Sequence, residues 1–242
     1  MVSMPPSLGK HSCGPPIPVR SLPPLSRPDS AAKTMTKIKI CGLTNLADAR
    51  FAAGAGADFL GFIQHEGSPR YISPKAVAEI AEWIHGARTV GVFVNRTADD
   101  IHQATRVAGF EFIQLHGDES PDMAQDLDVS VIKAIRIEPD WTADMVTRKA
   151  AAWTGVADYL LFDTWDPLLQ GGSGRSFDWS VLKDADIDVP FFVAGGLTPH
   201  TVANAVAAVA PYGVDVSSGV EAEPGRKDPE AINQFVQAVR TP

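Results

Sequence analysis

One repeating pattern runs from Lys37 to the end of the chain. A short run of β-branched or aromatic residues is followed by a turn, and then by a segment in which apolar and charged residues alternate as in a surface helix. Strands that alternate with helices require a parallel sheet with right-handed crossovers. Eight such units in a segment of this length predict an α/β fold, namely a single-domain (β/α)8 TIM barrel.

The eight predicted units keep the same order throughout. Paired as strand and helix, they span residues 38–42 with 46–55, 58–63 with 74–84, 89–94 with 98–108, 112–117 with 121–127, 131–136 with 141–152, 159–164 with 178–182, 191–196 with 199–210, and 213–218 with 229–240. Asn45 is the predicted N-cap of the first helix, and either Thr97 or Asn95 caps the third. A doubly wound open sheet is the alternative, but no Gly-x-Gly-x-x-Gly turn follows the first strand to support a dinucleotide-binding fold.

Residues 1–36 are predicted to be a disordered, proline-rich extension of the barrel domain at 37–242. Proline pairs at positions 5–6, 15–16 and 23–24 forbid regular helix and sheet, and few large apolar residues are present to build a core. The segment also lacks the continuous apolar stretch of a secretory signal.

The net charge and the composition argue against several classes of function. Residues 1–36 carry a net charge of +3, so the remainder carries −11 within the total of −8. An acidic body without a basic stripe argues against a nucleic-acid partner, and the lack of a run of about 18 apolar residues argues against a membrane span. Cys13 and Cys41 lie far apart, which favours a reducing cytoplasm. The histidines lack metal-ligand spacing, so no metal site is predicted.

The loops that follow the strands build the active site of a TIM barrel. Candidate side chains at these junctions are Cys41, Arg70, Gln114, His116, Asp163 and Asp215. Asp163 ends an apolar strand, where desolvation would let its carboxyl hold a proton as a general acid. Cys41 is the complementary base if an anion-stabilising site makes its thiolate reachable near neutral pH.

These residues also have simpler interpretations. Cys41 is equally consistent with a buried structural cysteine, and Asp163 with a helix cap or a salt-bridged carboxylate. Cys41 and His116 together would suit a papain-like thiol hydrolase, although nothing else of that pattern is present.

The junctions after the last three predicted strands are rich in glycine. Their candidate phosphate-binding residues are Gly172, Gly174, Gly195, Gly196, Ser217, Ser218 and Gly219. Glycine lets backbone N–H groups approach an anion closely, and TIM barrels often bind phosphate with their last loops. A short helix that starts beyond Ser218 would add the positive end of its dipole.

The motifs from Lys37 onward resemble, in order, those of the phosphoribosylanthranilate isomerase family. They are Lys39-Ile40-Cys41-Gly42-Leu43-Thr44, Gly61-Phe62, Ser68-x-Arg70-Tyr71-Ile72, Gly91-Val92-Phe93-Val94-Asn95, Gln114-Leu115-His116-Gly117, Phe162-Asp163-Thr164, Gly171-Gly172-Ser173-Gly174, Phe177-Asp178-Trp179, Ala194-Gly195-Gly196-Leu197 and Asp215-Val216-Ser217-Ser218-Gly219-Val220-Glu221, followed by Pro224-Gly225 and Lys227-Asp228. Gln64-His65-Glu66 departs from the family, which usually has an apolar-aromatic stretch there.

The resemblance implies an Amadori rearrangement in tryptophan biosynthesis, with no cofactor. N-(5-phosphoribosyl)anthranilate would become 1-(2-carboxyphenylamino)-1-deoxyribulose 5-phosphate. By this resemblance Asp163 is the acid that opens the ribose ring, Cys41 is the base that removes the C2 proton, and Arg70 holds the anthranilate carboxylate. The implied partner is therefore a small molecule with a phosphate and a carboxylate, and the sequence identifies no protein partner.

Related chemistries remain as alternatives. A ProFAR-type isomerase typically uses two aspartates, and a cysteine at the base position favours the anthranilate reaction over it and over a pentose-phosphate epimerase. Indoleglycerol-phosphate synthase needs a lysine acid at a strand end, for which Lys39 is an ambiguous candidate. A non-catalytic phosphate-binding barrel would have lost Cys41 or Asp163, and both are present.

Overall fold

The computed structural model describes residues 35–164 and 179–241, in which strands and helices alternate. The barrel strands are β1 Lys37–Ile40, β2 Phe59–Ile63, β3 Arg88–Phe93, β4 Phe112–Leu115, β5 Ser130–Ile137, β6 Tyr159–Thr164, β7 Phe191–Ala194 and β8 Gly213–Val216. The helices are α1 Leu46–Ala55, α2 Pro74–Ala81, α3 Ala98–Ala108, α4 Pro121–Gln125, α5 Ala143–Ala151, α6 Ser180–Lys183, α7 Val202–Val209 and α8 Pro229–Arg240. A 3-10 helix at Ser218–Val220 and two short strands, β9 Glu221–Glu223 and β10 Arg226–Lys227, lie between β8 and α8.

The eight parallel strands close into a barrel in chain order. Each strand pairs with the next, and β1 closes the ring against β8 with Lys39 opposite Asp215. Strands β9 and β10 form a separate antiparallel pair. The predicted TIM barrel is confirmed, and the open doubly wound sheet is excluded because no edge interrupts the ring.

Two apolar cores follow from the alternation of side chains along the strands. Ile38 and Ile40 pack outward in the core that the helices cover, which places Lys39 on the inner face of β1. Inside the barrel, aromatic rings meet edge to face near the amino ends of the strands. Phe59 lies 5.4 Å from Phe112 and 5.4 Å from Phe192, measured between ring centroids. These rings fill the barrel below the strands' carboxyl ends.

Local hydrogen bonds explain where the helices begin. The Asn45 side chain accepts a hydrogen bond from the Asp48 N–H at 2.9 Å, which confirms it as the cap of α1. Thr97 rather than Asn95 caps α3. Helix α7 begins at Val202, so the predicted start at residue 199 is wrong. Thr201 Oγ accepts from the Thr198 N–H at 2.9 Å, and this bond forms a turn before the helix.

The predicted bounds of α1, α3, β6 and α8 agree with the structure, whereas most other predicted elements run too far into the loops. The predicted disorder of the extension falls on residues outside those described, apart from residues 35 and 36 directly before β1. Within the described ranges, the helices are too short or too polar to cross a bilayer.

Candidate active site

A cavity of about 350 Å³ lies where the barrel strands end. Its walls include ten of the residues predicted from the sequence: Cys41, Gln114, His116, Asp163, Gly195, Gly196, Asp215, Ser217, Ser218 and Gly219. They come from β1, β4, β6, β7 and β8 or the loops directly after them. The fold therefore brings together an acid, a thiol and two glycine-containing loops that are far apart in sequence.

Cys41 directly follows β1, and its N–H donates to the Val216 carbonyl at 2.8 Å, which fixes the residue against β8. The residue is 6% exposed and borders the cavity. Burial raises the pKa of the Cys41 thiol above its ordinary value, and the positive charge of Lys39 opposes this rise. The lowered pKa that a reachable thiolate would require is therefore not found, because burial outweighs the nearby cation.

Lys39 is fully buried inside the barrel, and its Nζ lies 2.9 Å from Asp215 Oδ1. Burial favours the neutral amine, but the charges of Asp215 and Cys41 outweigh that effect and raise the pKa of Lys39. Lys39 therefore stays charged. Asp215, one of the candidate side chains at the strand ends, is 9% exposed and lines the cavity while it pairs with this ammonium.

Asp163 lies at the end of β6, with its side chain 27% exposed. His116 Nε2 lies 3.4 Å from Asp163 Oδ2, and Gln114 Nε2 lies 2.7 Å from His116 Nδ1. When the Gln114 amide donates to Nδ1, the neutral ring carries its hydrogen on Nε2 and presents it to the Asp163 carboxyl. The two ring nitrogens of His116 therefore face Gln114 and Asp163, which gives a thiol-hydrolase pair with Cys41 no support.

The loops after β7 and β8 contact each other beside the cavity. Gly195 and Gly196 have φ angles of 87° and 64°, a conformation that side chains other than glycine rarely adopt. A Cβ added at Gly219 would collide with the Leu197 carbonyl, so the close approach of these loops depends on glycine. The expected short helix begins at Ser218. Gly172 and Gly174, predicted to complete the phosphate site, lie outside the described residues.

Arg70 is not among the residues that line this cavity, but it lies beside Ser217, which is: a Cβ built at Gly42 would be 2.7 Å from Arg70 Cδ and 2.9 Å from Ser217 Oγ. Arg70 Nε and Nη2 donate to the two carboxylate oxygens of Glu221 at 2.8 and 2.6 Å. Lys227 Nζ also binds Glu221, at 2.8 Å, and donates to the Ser217 carbonyl at 3.1 Å. Although burial opposes ionisation, the hydrogen bonds from Arg70 and Lys227 hold the pKa of Glu221 below its usual value. A charge network thus joins the loop after β2 to the segment after β8.

The Gln64-His65-Glu66 departure lies at the entrance to the second loop. Gln64 is 6% exposed, and its Nε2 donates to the Ile72 carbonyl at 3.0 Å, so the polar side chain braces this loop. His65 borders the cavity. Over residues 35–164 and 179–241, no cluster of His, Cys, Asp and Glu is arranged to hold a metal ion.

A model of the N-(5'-phosphoribosyl)anthranilate isomerase family matches residues 38–238, which is the whole span from β1 into α8. The chain belongs to this family. Among curated phosphoribosylanthranilate isomerases, that of Citrifermentans bemidjiense is 44% identical over 207 residues, covering 84% of this chain and 96% of the relative. That of Magnetococcus marinus is 45% identical over 205 residues, covering 84% of this chain and 95% of the relative.

Solved structures of the family have the same fold. The phosphoribosylanthranilate isomerase of Thermotoga maritima is 35% identical, with a TM-score of 0.75, and the match covers 85% of this chain and 98% of that one. A second phosphoribosylanthranilate isomerase was solved in complex with reduced 1-(o-carboxyphenylamino)-1-deoxyribulose 5-phosphate. It is 32% identical, with a TM-score of 0.71, and the match covers 85% of this chain and 98% of that one.

Three charged residues of this phosphoribosylanthranilate isomerase family member were not predicted as part of the site: Lys39, Glu221 and Lys227. The period of two along β1 was the available signal for Lys39, since it puts residues 39 and 41 on one face. Glu221 and Lys227 stand in motifs that resemble the family, but the resemblance assigned them no role in the site. The short strands β9 and β10 that carry them have no periodic pattern, and Arg70, the partner of Glu221, lies about 150 residues earlier.

Proposed function

We propose that this chain isomerises N-(5'-phosphoribosyl)anthranilate to 1-(2-carboxyphenylamino)-1-deoxyribulose 5-phosphate, the Amadori rearrangement of tryptophan biosynthesis, with Asp163 as acid and Cys41 as base. The observation that carries the proposal is that the thiol and the carboxyl line one cavity together with the loops after β7 and β8. Membership of the isomerase family supports the substrate. The pairing of acid and base supports the reaction type.

In the first step Asp163 donates its proton to the ribose ring oxygen. The bond between that oxygen and C1 breaks, and the nitrogen lone pair forms a C1=N double bond, which gives an open-chain Schiff base. His116 lies against the Asp163 carboxyl and orients it, while Gln114 fixes the imidazole from the other side. Asp163 leaves this step as a carboxylate.

In the second step Cys41 removes the C2 proton as a thiolate. The electrons of the C–H bond form a C1=C2 double bond and neutralise the nitrogen, which gives an enolamine. This species takes up a proton at C1 and loses one from the C2 hydroxyl to become the ketone. Cys41 directly follows β1 and Asp163 lies on β6, and β7 and β8 separate these strands in the ring, so the two groups approach the sugar from different sides.

The loops after β7 and β8 bind the substrate phosphate in this proposal. Replacing Gly219 with alanine is expected to raise the KM, because the added Cβ would meet the Leu197 carbonyl and push the two loops apart. Steady-state kinetics with the phosphorylated substrate measures the effect. Gly54 provides a matched control, since a Cβ there has no heavy atom within 4 Å. A Gly219→Ala enzyme with the KM of the Gly54→Ala enzyme would place the phosphate elsewhere.

Arg70 holds the anthranilate carboxylate in this proposal. A guanidinium has five N–H donors, of which Glu221 uses two, and the other three are available to the substrate. Replacing Arg70 with alanine is expected to cost about 1.5–3 kcal/mol of binding, or roughly a 10- to 150-fold higher KM. Arg70→Lys keeps the charge but loses the fork, and should recover only part of the loss. A KM that is unchanged in both variants would contradict this role.

Turnover of freshly prepared substrate tests the proposed function as a whole. The open-chain ketone of the product differs from the ring acetal carbon of the substrate, so ¹³C NMR reports the conversion directly. A non-catalytic phosphate-binding barrel would bind the substrate without producing the ketone. A ProFAR-type isomerase would convert its own substrate faster than the anthranilate compound.

A further inference from the structure

The inner face of β1 carries a cation directly beside the proposed base. Lys39 and Cys41 are two residues apart on one extended segment, so their side chains leave the same face. The Lys39 side chain is fully buried, and its Nζ is 2.9 Å from Asp215 Oδ1. Burying an ammonium group has a large desolvation cost. A functional role would explain why a charged lysine occupies this buried position.

Gly61 on β2 shows how close the two groups lie. A Cβ built at Gly61 would be 2.7 Å from Cys41 Sγ and 3.1 Å from Lys39 Nζ, so sulfur and ammonium border the same small space. The two atoms are therefore within about 6 Å of each other, the range in which an opposite charge strongly favours an ionised group. The absence of a side chain at Gly61 is what leaves room for this approach.

Each of three cations around Cys41 forms an ion pair with a carboxylate. Lys227 on β10 and Arg70 after β2 both bind Glu221, and Asp215 on β8 binds Lys39. Lys227 favours the thiolate and Asp215 opposes it. Of these groups, Lys39 has the largest charge effect on the sulfur, and it is the one on the same strand as Cys41.

We propose that Lys39 is a positioning residue for the Cys41 base, whose buried ammonium supplies the countercharge when the thiol loses its proton. Asp215 holds that ammonium in place, so the residue that lines the cavity and the residue beneath it act as one unit. The inference rests on the proposed function for the role of Cys41 as base. Its test is the ionisation of Cys41, which requires no turnover.

The direction of the ionisation effects agrees with this role. Burial raises the pKa of the Cys41 thiol, and the charge of Lys39 pulls it down. Removing Lys39 would take away the largest charge effect that opposes burial. An opposite charge at this range typically moves a pKa by about one to three units, so the thiolate fraction near neutral pH should fall about tenfold or more.

The experiment is a pH titration of the thiolate by its ultraviolet absorption in the full-length chain. Cys13 is the other cysteine of the sequence, so Cys13→Ser in every variant leaves Cys41 as the titrating thiol. In this background Lys39→Met should lower the thiolate fraction at a given pH by about tenfold or more, while Lys39→Arg should restore much of it. Lys133→Met is the matched control, because Lys133 is also a buried barrel lysine but pairs with Glu119. An unchanged titration in Lys39→Met, or an equal change in Lys133→Met, would overturn the proposal.

A second pair of variants covers the outcome in which Lys39→Met fails to fold because Asp215 is left unpaired. Asp215→Asn alone should increase the thiolate fraction, since it removes a negative charge and keeps the ammonium. Adding Lys39→Met should reverse that gain, with no unpaired carboxylate in either protein. Equal titrations in the single and double variants would contradict the role of Lys39. Failure of the wild type to convert substrate would instead reject the isomerase function and leave this result intact.

Discussion

Replacing Cys41 with alanine is expected to lower turnover by about 10²–10⁴-fold, the usual contribution of a general base, while the barrel stays folded. Cys41 lines a cavity at the end of β1, and alanine keeps the backbone bond to the Val216 carbonyl. Cys41→Ser should remain strongly impaired, because an alcohol gives up its proton far less readily than a thiol. Single-turnover kinetics with circular dichroism as a check of folding measures this. Near-normal turnover in a folded Cys41→Ala enzyme would refute its assignment as base.

The pH dependence of kcat/KM follows from the same residue. Because burial raises the pKa of Cys41, the thiol form dominates at neutral pH and the active thiolate increases as the pH rises. The ascending limb should therefore continue into the alkaline range if proton abstraction limits the rate. In the Cys41→Ala enzyme this limb should disappear.

Replacing Asp163 with asparagine is also expected to lower turnover by about 10²–10⁴-fold, because the amide cannot supply the proton that opens the ribose ring. The amide keeps the volume of the carboxyl and an oxygen that can face His116 Nε2, so the contact at 3.4 Å is expected to be retained. The defect should lie in ring opening. A synthetic open-chain aminoaldose, which bypasses this step, should therefore recover more activity in Asp163→Asn than in Cys41→Ala.

The activity of the two variants on the open-chain aminoaldose distinguishes the role of Asp163 from that of Cys41. Equal recovery in both variants would show that the carboxyl and the thiol act on the same step. Loss of secondary structure in Asp163→Asn would instead assign Asp163 a structural role, the simpler interpretation of a carboxylate at a strand end. His116→Gln, which leaves Asp163 in place, should lower turnover less than Asp163→Asn.

The sequence predicts the ring of strands well because one physical pattern repeats eight times. Asn45 and Thr97 mark helix starts by local hydrogen bonds that the sequence alone can indicate. Parallel pairing then brings Cys41 and Asp163 to the same end of the barrel, since every strand in such a ring runs in the same direction. That Cys41 and Asp163 lie at the same end of the barrel could therefore be predicted from the order and direction of the strands alone.

Features that depend on side chains from distant segments were not predictable in this way. The contact of Arg70 with Glu221 depends on where the β9–β10 pair folds, and no periodic pattern in the sequence fixes that position. The ionisation of Cys41 depends on how burial and the charge of Asp215, which both oppose the thiolate, balance the charge of Lys39, which favours it. That balance is set by distances in the folded barrel. Pairing of His116 with Asp163 likewise joins two strands through side-chain rotamers rather than through register.

The aromatic rings near the amino ends of the strands have a consequence for how this barrel tolerates substitutions. Phe59, Phe112, Tyr159 and Phe192 pack against one another on β2, β4, β6 and β7, below the cavity. Much of the apolar surface buried inside the barrel thus lies in a layer separate from the proposed acid and base, Asp163 and Cys41. Substitutions in the loops above this layer are therefore expected to cost less stability than substitutions within it.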